Sequence, residues 1–129
     1  MKLLFRKITE GAYLPCGEDN DIHSVIECTI RREDYAVIRT GIVPVIPPGF
    51  RLEIKPRYSL ARDYQVLALP GVIHARTQEE IVVILKNFSL QNYKVNEGDP
   101  IAQLVLTPVI SFSPVLEEPE LSVRGNCGE

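Results

Sequence analysis

Proline and glycine interrupt this chain so often that long helices have little room to form. The 129 residues include ten prolines and eight glycines, which lie at short intervals. Proline ends or kinks a helix, and glycine favours turns. Between them lie short apolar segments. In Phe50–Pro56, for example, Phe50, Leu52 and Ile54 alternate with polar residues and share one face of a strand. The pattern predicts many short strands joined by turns.

Three other segments are predicted as strands. They are Leu3–Ile8, Ala36–Ile42 and Glu80–Leu85. The last is a nearly continuous run rich in β-branched residues, which is typical of a strand buried on both faces. Pro47–Gly49 and Asn96–Asp99 are predicted turns. The sequence therefore predicts one all-β domain, built as a sandwich or a jelly-roll-like β-barrel.

The end of the chain has a different composition. From Ser111 onward, prolines and glutamates replace the alternating apolar pattern. Such a segment favours an extended conformation over a packed one. We therefore predict a β domain over residues 1–110 and an extended C-terminal arm over residues 111–129.

Charge and cysteine content narrow the class of protein. The net charge of −3 argues against nucleic acid or an anionic membrane as a partner. Cys16, Cys28 and Cys127 are odd in number and lack metal-ligand spacing, so they predict a reducing, intracellular compartment rather than a disulfide framework. The apolar run Leu3–Phe5 ends at Arg6, too soon for a secretion signal or a membrane span.

The segment Gly98–Leu104 carries the most specific signal. It reads Gly-Asp-Pro-Ile-Ala-Gln-Leu and places Gln103 in an apolar strand, where a long amide needs a hydrogen-bond partner. It resembles the fourth motif of the dUTP pyrophosphatases (dUTPases), usually Gly-Asp-Arg-Ile-Ala-Gln-Leu. Pro56–Ala61 resembles the second motif, usually Pro-Arg-Ser-Gly-Leu-Ala. Gly71–Ile73 and Glu80–Ile81 resemble the two ends of the third.

Two fainter matches complete the order of the motifs. Asp21 corresponds to the aspartate of the first motif, and Arg124–Gly125 resembles the start of the fifth. The resemblance covers nearly the whole chain. It implies a dUTPase-like jelly-roll domain, a homotrimer whose sites are shared between chains, and a deoxyuridine nucleotide as ligand. It also implies attack of water on the α-phosphorus of dUTP, with Mg²⁺ held by the phosphates.

The resemblance further implies which residues would bind the ligand. Asp21 would also be the residue closest to Mg²⁺, which is required only if nucleotide binding is retained. Each position has a structural alternative, such as a solvated turn for Asp21, a surface ion pair for Arg57 and a core hydrogen bond for Gln103. The ligand-binding positions are Asp21, Arg57, Ser59, Gly71, Gln103 and Arg124.

The reacting centre departs from the pattern of the family. The chain ends at Glu129, where the resemblance would place a phenylalanine that closes over the base, so we expect an arm that does not close. Four further positions are changed in the other motifs. They are His74 for the catalytic aspartate, Thr77 for the neighbouring tyrosine, Tyr58 for the serine of the second motif and Pro100 for the arginine of the fourth.

Two functions fit these replacements. Our expectation is a pseudoenzyme that binds an unidentified protein partner and has lost catalysis. A viral source is expected as well, because degenerate dUTPase-like proteins occur among viral gene products. The alternative is a divergent Mg²⁺-dependent nucleotide pyrophosphatase in which His74 or Asp21 serves as the base, since a histidine can take a proton near neutral pH. A purely structural trimer is a third hypothesis. Deamination, as in dCTP deaminase, is disfavoured because Ile84 stands where that enzyme has a glutamate.

Overall fold

The computed structural model describes residues 1–118, which form eleven strands and one short helix. The all-β fold class is therefore confirmed. None of the described residues forms a helix long and apolar enough to cross a membrane. The elements are β1 (Leu4–Lys7), β2 (Asp21–His23), β3 (Cys28–Ile30), β4 (Tyr35–Arg39), β5 (Ile42–Val45), β6 (Phe50–Lys55), α1 (Tyr58–Tyr64), β7 (Val66–Ala68), β8 (Gly71–His74), β9 (Val82–Asn87), β10 (Tyr93–Val95) and β11 (Pro100–Pro108).

A four-stranded antiparallel sheet positions the candidate site residues. Its order is β2-β11-β6-β8, so β11 brings β2, from early in the chain, beside β6. Its inner face carries Ile22, Leu52 and Ile54, which are buried in the core. Successive residues of a strand point to opposite faces, so its outer face carries mainly polar side chains, with Val72 and Val105 among them. We call this outer face the polar face.

A three-stranded sheet of order β4-β9-β7 covers the other side of the core. Strand β9 was predicted to be buried on both faces, and this is wrong for a single chain. Val83 and Leu85 are buried, whereas Val82 and Ile84 are 42% and 36% exposed. Val37 on β4 lies opposite Ile84 and is 51% exposed. One chain therefore leaves an apolar outer face on this sheet uncovered.

The predicted strand Ala36–Ile42 is broken in the structure. Strand β4 ends at Arg39, and β5 begins at Ile42. Between them Gly41 has a φ of +74°, and a Cβ at this position would lie 2.9 Å from the Cβ of Ala12. The chain can turn between the two strands because glycine tolerates both the backbone angle and the close approach.

Helix α1 follows β6 directly and sets the position of the second motif. Arg57 is its N-cap residue in an extended conformation, and Leu60 is its buried side chain. The helix ends at Tyr64, and its C-cap Gln65 has a left-handed φ of +55° and an N–H that donates to the carbonyl of Ala61. Beyond β11, residues 109–118 form no strand or helix and are exposed. The division at residues 110 and 111 stays a prediction.

Candidate functional site

The Gly98–Asp99 turn ties two strands of the polar face together. The N–H of Gly98 donates to the carbonyl of Ser24, and the N–H of Ser24 donates to the carbonyl of Asp99, at 2.8 and 3.0 Å. The Asp99 side chain accepts from the N–H of Asn96 at 2.8 Å. Gly98 has a φ of +90°, and a Cβ there would lie 3.0 Å from the hydroxyl oxygen of Tyr13. This position therefore favours glycine, because another residue would be strained and Tyr13 would have to move.

Three of the predicted ligand-binding residues meet at one end of the polar face. Gln103 on β11 lies opposite Asp21 on β2 and Lys55 on β6. Residues directly opposite each other in an antiparallel pair project to the same face. Nε of Arg57 lies 3.5 Å from Oδ1 of Asp21, and both side chains are about three-quarters buried. The fold thus joins three motifs that are far apart in sequence.

Arg57 and Ser59 line a shallow cleft of about 190 Å³ beside this group. Tyr93, Asp99 and Pro100 also line this cleft. Burial raises the pKa of the Tyr93 hydroxyl, and the nearby carboxylate of Asp99 raises it further. A guanidinium and a hydroxyl at one cleft can contact the oxygens of a phosphate. We call Asp21, Arg57, Ser59 and Gln103 the phosphate cluster.

His23, which was not predicted as a site residue, lies near Asp21 and Arg57. Its ring packs on Tyr13 with centroids 5.3 Å apart, and its Nε2 lies 3.7 Å from Sγ of Cys16. Burial lowers the pKa of His23, Asp21 opposes that effect, and Arg57 adds to it. The position of His23 could have been predicted from the sequence. Residues two apart in a strand share a face, so a strand that contains Asp21 places His23 on the same side.

His74 lies at the opposite end of the same polar face. It is exposed on β8 and lies opposite Arg51 on β6. Three strand spacings and about four residues of strand separate it from Asp21, which corresponds to roughly 20 Å. Gly71, the first residue of β8, lies opposite Ile54 and faces the core side of the sheet. The structure therefore unites the phosphate cluster and leaves His74 apart from it in a single chain.

Glu80, at the far end of the third motif, has a structural role. Its carboxylate accepts from Nε of Arg39 at 3.1 and 3.2 Å and from the N–H of Gly41 at 2.8 Å. The neighbouring Ile81 carbonyl accepts from the Thr40 hydroxyl at 2.6 Å. These bonds fasten the segment before β9 to the turn between β4 and β5. Arg124 and the end of the arm lie outside the described residues.

A family model described as dUTPase matches residues 20–128 of this chain. The chain belongs to the dUTPase family. The deoxyuridine 5′-triphosphate nucleotidohydrolase of Clostridium acetobutylicum is 34% identical, and the match covers 99% of this chain and 94% of that protein. The protein of the same name from Helicobacter hepaticus is 37% identical, with 99% and 86% covered. A dUTPase structure from phage phi11 of S. aureus has a TM-score of 0.81 at 22% identity, and covers 93% of this chain and 97% of that one.

These dUTPase relatives overturn the expectation of a pseudoenzyme. Proteins about one-third identical over nearly the full chain are named as nucleotidohydrolases, so the leaning towards a protein without catalysis is wrong. The error lay in counting the replaced positions as loss of the whole site. Asp21, Arg57 and Gln103 are retained at the phosphate-cluster end of the polar face, although Tyr58 and Pro100 replace family residues beside them. The phage structure is too distant in sequence to indicate more than the fold.

Proposed function

We propose that this dUTPase family member hydrolyses dUTP, or a closely related deoxynucleoside triphosphate, to a monophosphate and pyrophosphate. The observation that carries the proposal is the similarity, over nearly the whole chain, to proteins named as deoxyuridine 5′-triphosphate nucleotidohydrolases. The phosphate cluster supports it, because a triphosphate needs forked cationic donors and hydroxyl donors at one place.

The side chains of the phosphate cluster divide the binding work by their chemistry. Arg57 presents a planar guanidinium that can bind two phosphate oxygens at once. Ser59 offers a hydroxyl in the same cleft, and Gln103 offers an amide on the neighbouring strand. By resemblance, Gly71 lets the backbone approach the ligand and Arg124 adds a second guanidinium from the arm.

His74 is our candidate for the general base. Its imidazole is exposed on β8, and a neutral imidazole can accept a proton near neutral pH. Asp21 is the other candidate, but its carboxylate faces Arg57 at 3.5 Å, which suits phosphate binding better. In the proposed step, water attacks the α-phosphorus and gives its proton to His74. The bond from that phosphorus to the bridging oxygen breaks, and pyrophosphate leaves.

One complete site would then draw on two copies of the chain, since His74 and the phosphate cluster are roughly 20 Å apart within one copy. We therefore propose a homotrimer. The uncovered face of the β4-β9-β7 sheet supports association, because Val37, Val82 and Ile84 are exposed there and apolar surface gains free energy when another copy buries it. Sedimentation as a monomer at micromolar concentration would contradict the homotrimer.

Magnesium fits this site as an ion bound through the substrate. Residues 1–118 contain no group of three histidine, cysteine, aspartate or glutamate side chains that could hold a metal by themselves. Mg²⁺ commonly binds through one or two carboxylates together with substrate phosphates, and Asp21 is the carboxylate beside Arg57. When bound, the ion would neutralise charge on the phosphates.

The test is pyrophosphate release from dUTP in the presence of Mg²⁺, compared with dCTP, dTTP and UTP. We expect release from dUTP well above the enzyme-free background. His74→Ala should lower kcat by about 100-fold or more, because general-base catalysis contributes on that order. Gln78→Ala, at an exposed position four residues later, is the matched control and should keep the activity. No release from any of the four nucleotides would overturn the proposed function.

If His74→Ala keeps full activity, the general base would be reassigned to Asp21.

Four predictions made from the sequence about the surroundings of the protein stay predictions. They are an intracellular location, a viral source, an unidentified protein partner, and the absence of nucleic acid and membrane partners. The β domain over 1–110 and the arm over 111–129 are likewise part of the proposal.

A further inference from the structure

Arg76 lies in the turn that follows the candidate base. The N–H of Thr77 donates to the carbonyl of His74 at 3.0 Å, so residues 74–77 form a β-turn with Ala75 and Arg76 at its centre. Such a turn keeps its first and last Cα atoms within about 7 Å of each other. The exposed side chain of Arg76 therefore begins close to the backbone of His74.

The segment that carries this turn is fastened to the rest of the chain on both sides. On the β8 side, His74 pairs with Arg51 of β6. On the β9 side, the carboxylate of Glu80 accepts from the N–H of Gly41 at 2.8 Å and from Nε of Arg39 at 3.1 and 3.2 Å. Groups on a short segment fastened at both ends are in place before a ligand arrives.

Arg76 differs from the two other arginines of this region in its partners. Nη2 of Arg51 lies 3.3 Å from Oε2 of Glu53, and Nε of Arg39 lies 3.1 Å from Oε2 of Glu80. Arg76 forms no ion pair with any of residues 1–118. Its planar guanidinium is therefore available to an anion, and the N–H fork matches the oxygens of a phosphate.

The phosphate cluster itself carries little net positive charge. Its guanidinium, on Arg57, lies 3.5 Å from the carboxylate of Asp21, and the adjoining cleft also contains the carboxylate of Asp99. A nucleoside triphosphate is strongly anionic, and phosphoryl transfer requires that this charge be neutralised. Positive charge must therefore come from outside the cluster. Within residues 1–118, the turn that carries the candidate base is a place that can supply it.

We propose that Arg76 is a catalytic residue of the shared site: the copy of the chain that supplies His74 also supplies Arg76, whose guanidinium binds the non-bridging oxygens of the α-phosphate. This inference rests on the proposed function for its substrate. The water that attacks the α-phosphorus gives its proton to His74, so the α-phosphate lies one water molecule away from that imidazole. A guanidinium two residues further along the chain can reach the same phosphate.

The contribution of Arg76 is electrostatic. It neither gives nor takes a proton during the reaction. It stabilises the negative charge on the phosphate oxygens while the water oxygen bonds to the α-phosphorus, the bond to the bridging oxygen breaks and pyrophosphate leaves.

The first test measures pyrophosphate release from dUTP by variants of Arg76. We expect Arg76→Ala to lower kcat by about 100-fold, because removing one donor to a developing oxyanion has an effect of that order. Guanidinium chloride at low millimolar concentration should restore part of the lost rate, because the free ion can occupy the place of the missing group. Arg76→Lys keeps the charge but not the planar fork, so its kcat should lie between those of the wild type and Arg76→Ala.

Arg32→Ala is the matched control. Arg32 is an exposed arginine without an ion pair among residues 1–118, inside another β-turn, which the N–H of Asp34 closes by donating to the carbonyl of Arg31 at 3.0 Å. This variant should keep the wild-type kcat, with and without guanidinium chloride.

Joint refolding of two variants shows whether Arg76 belongs with His74 or with the phosphate cluster. Arg76→Ala refolded with Arg57→Ala should recover activity, because one chain supplies an intact phosphate cluster and the other an intact turn. Arg76→Ala refolded with His74→Ala should stay inactive, because every turn then lacks one of the two groups. Recovery in the second mixture would overturn the inference, and so would mixed oligomers without recovery in the first.

Binding measured without turnover separates this inference from the proposed function. By calorimetry, Arg76→Ala should bind a non-hydrolysable dUTP analogue about tenfold more weakly than the wild type, equivalent to about 1.4 kcal/mol. Inorganic pyrophosphate has no α-phosphate, so its affinity should stay the same.

Each outcome then decides a different point. If the analogue shows this difference but the wild type releases no pyrophosphate, the proposed function is wrong and the contact of Arg76 with the α-phosphate stands. If Arg76→Ala keeps full kcat and full affinity for the analogue, the inference is wrong and the proposed function stands. A wild type that neither binds the analogue nor releases pyrophosphate would overturn both.

Discussion

The two ends of the polar face differ in how the chain holds its functional groups. At the Asp21 end, which we define as Asp21, His23 and Arg57, the side chains of Asp21 and Arg57 are about three-quarters buried and lie 3.5 Å apart, and His23 packs on Tyr13. At the His74 end, defined as His74 and Arg51, the imidazole is exposed and lies on the last residue of β8. A phosphate-binding group must be held in place before the ligand arrives. A base that waits for a second copy of the chain can instead remain at the surface.

The strongest test of this comparison is to inactivate each end in a different chain. Arg57→Ala should lower kcat/KM by about 10²–10³-fold, because it removes a charge-stabilising clamp, and His74→Ala should also be nearly inactive. If one site uses the Asp21 end of one copy and the His74 end of another, a mixed assembly of the two variants contains some intact sites. We therefore expect pyrophosphate release to reappear after the two are unfolded and refolded together.

The control for mixing is each variant refolded alone, which should stay inactive. Recovery must also depend on joint refolding and not on simple addition of one variant to the other. If the mixed sample forms oligomers and shows no recovered activity, the two ends do not complement each other across chains. The assignment of His74 and the phosphate cluster to one shared site would then be wrong.

Much of the Asp21 end could be predicted from the sequence, because its signals are local. The Gly-Asp turn, the strand containing Gln103 and the alternation of Phe50–Pro56 each depend on neighbouring residues, and the structure contains all three. Asp21 and Arg57 were predicted individually. Their contact could not be, because it depends on β11 lying between β2 and β6. The order of strands in a sheet cannot be read directly from the sequence.

Other features could not be predicted from the sequence, for identifiable physical reasons. Helix α1 has seven residues, too few for a helical period to stand out from the strands around it. The break at Gly41 arises from a close approach to Ala12, a contact between distant segments. The expectation of a pseudoenzyme failed because the replacements were counted and the retained residues were given too little weight. His74 and Thr77 lie at one end of the polar face, and Tyr58 and Pro100 adjoin Arg57 at the other. Asp21, Arg57 and Gln103 are nevertheless kept at that second end.

Substitutions at two glycines that have the same backbone angle would compare how tightly the two ends are packed. Gly98 and Gly49 both have a φ of +90°, but a Cβ at Gly98 would lie 3.0 Å from the hydroxyl of Tyr13, whereas one at Gly49 would meet nothing within 4 Å. We expect Gly49→Ala to lower the free energy of unfolding by about 1 kcal/mol, from backbone strain alone. Gly98→Ala should cost about 2–3 kcal/mol, since Tyr13 must also move.

Urea denaturation of the two variants measures the difference directly. Tyr13→Phe removes the hydroxyl that the new methyl group would contact, so the double variant Tyr13→Phe, Gly98→Ala should regain part of the lost stability. Equal costs at the two glycines would mean that the Asp21 end is no more tightly packed than the His74 end. In that case the contrast between a fixed and an open end would not hold.

The smallest expected effect concerns the burial of Tyr93, which lines the cleft with Arg57. Burial raises the pKa of the Tyr93 hydroxyl above its ordinary value of 10.0, and Asp99 and Tyr64 act in the same direction. The folded chain thus keeps a proton that the unfolded chain releases near pH 10. The resulting stabilisation is complete below pH 10 and is lost as the pH rises through the folded-state pKa.

Thermal unfolding from pH 8 to pH 11 should therefore show a shallower fall of Tm for Tyr93→Phe than for the wild type. Tyr58→Phe changes a tyrosine that is 73% exposed, so this control should follow the wild type. Parallel curves for Tyr93→Phe and the wild type would mean that Tyr93 is as open to solvent as the side chains of the His74 end.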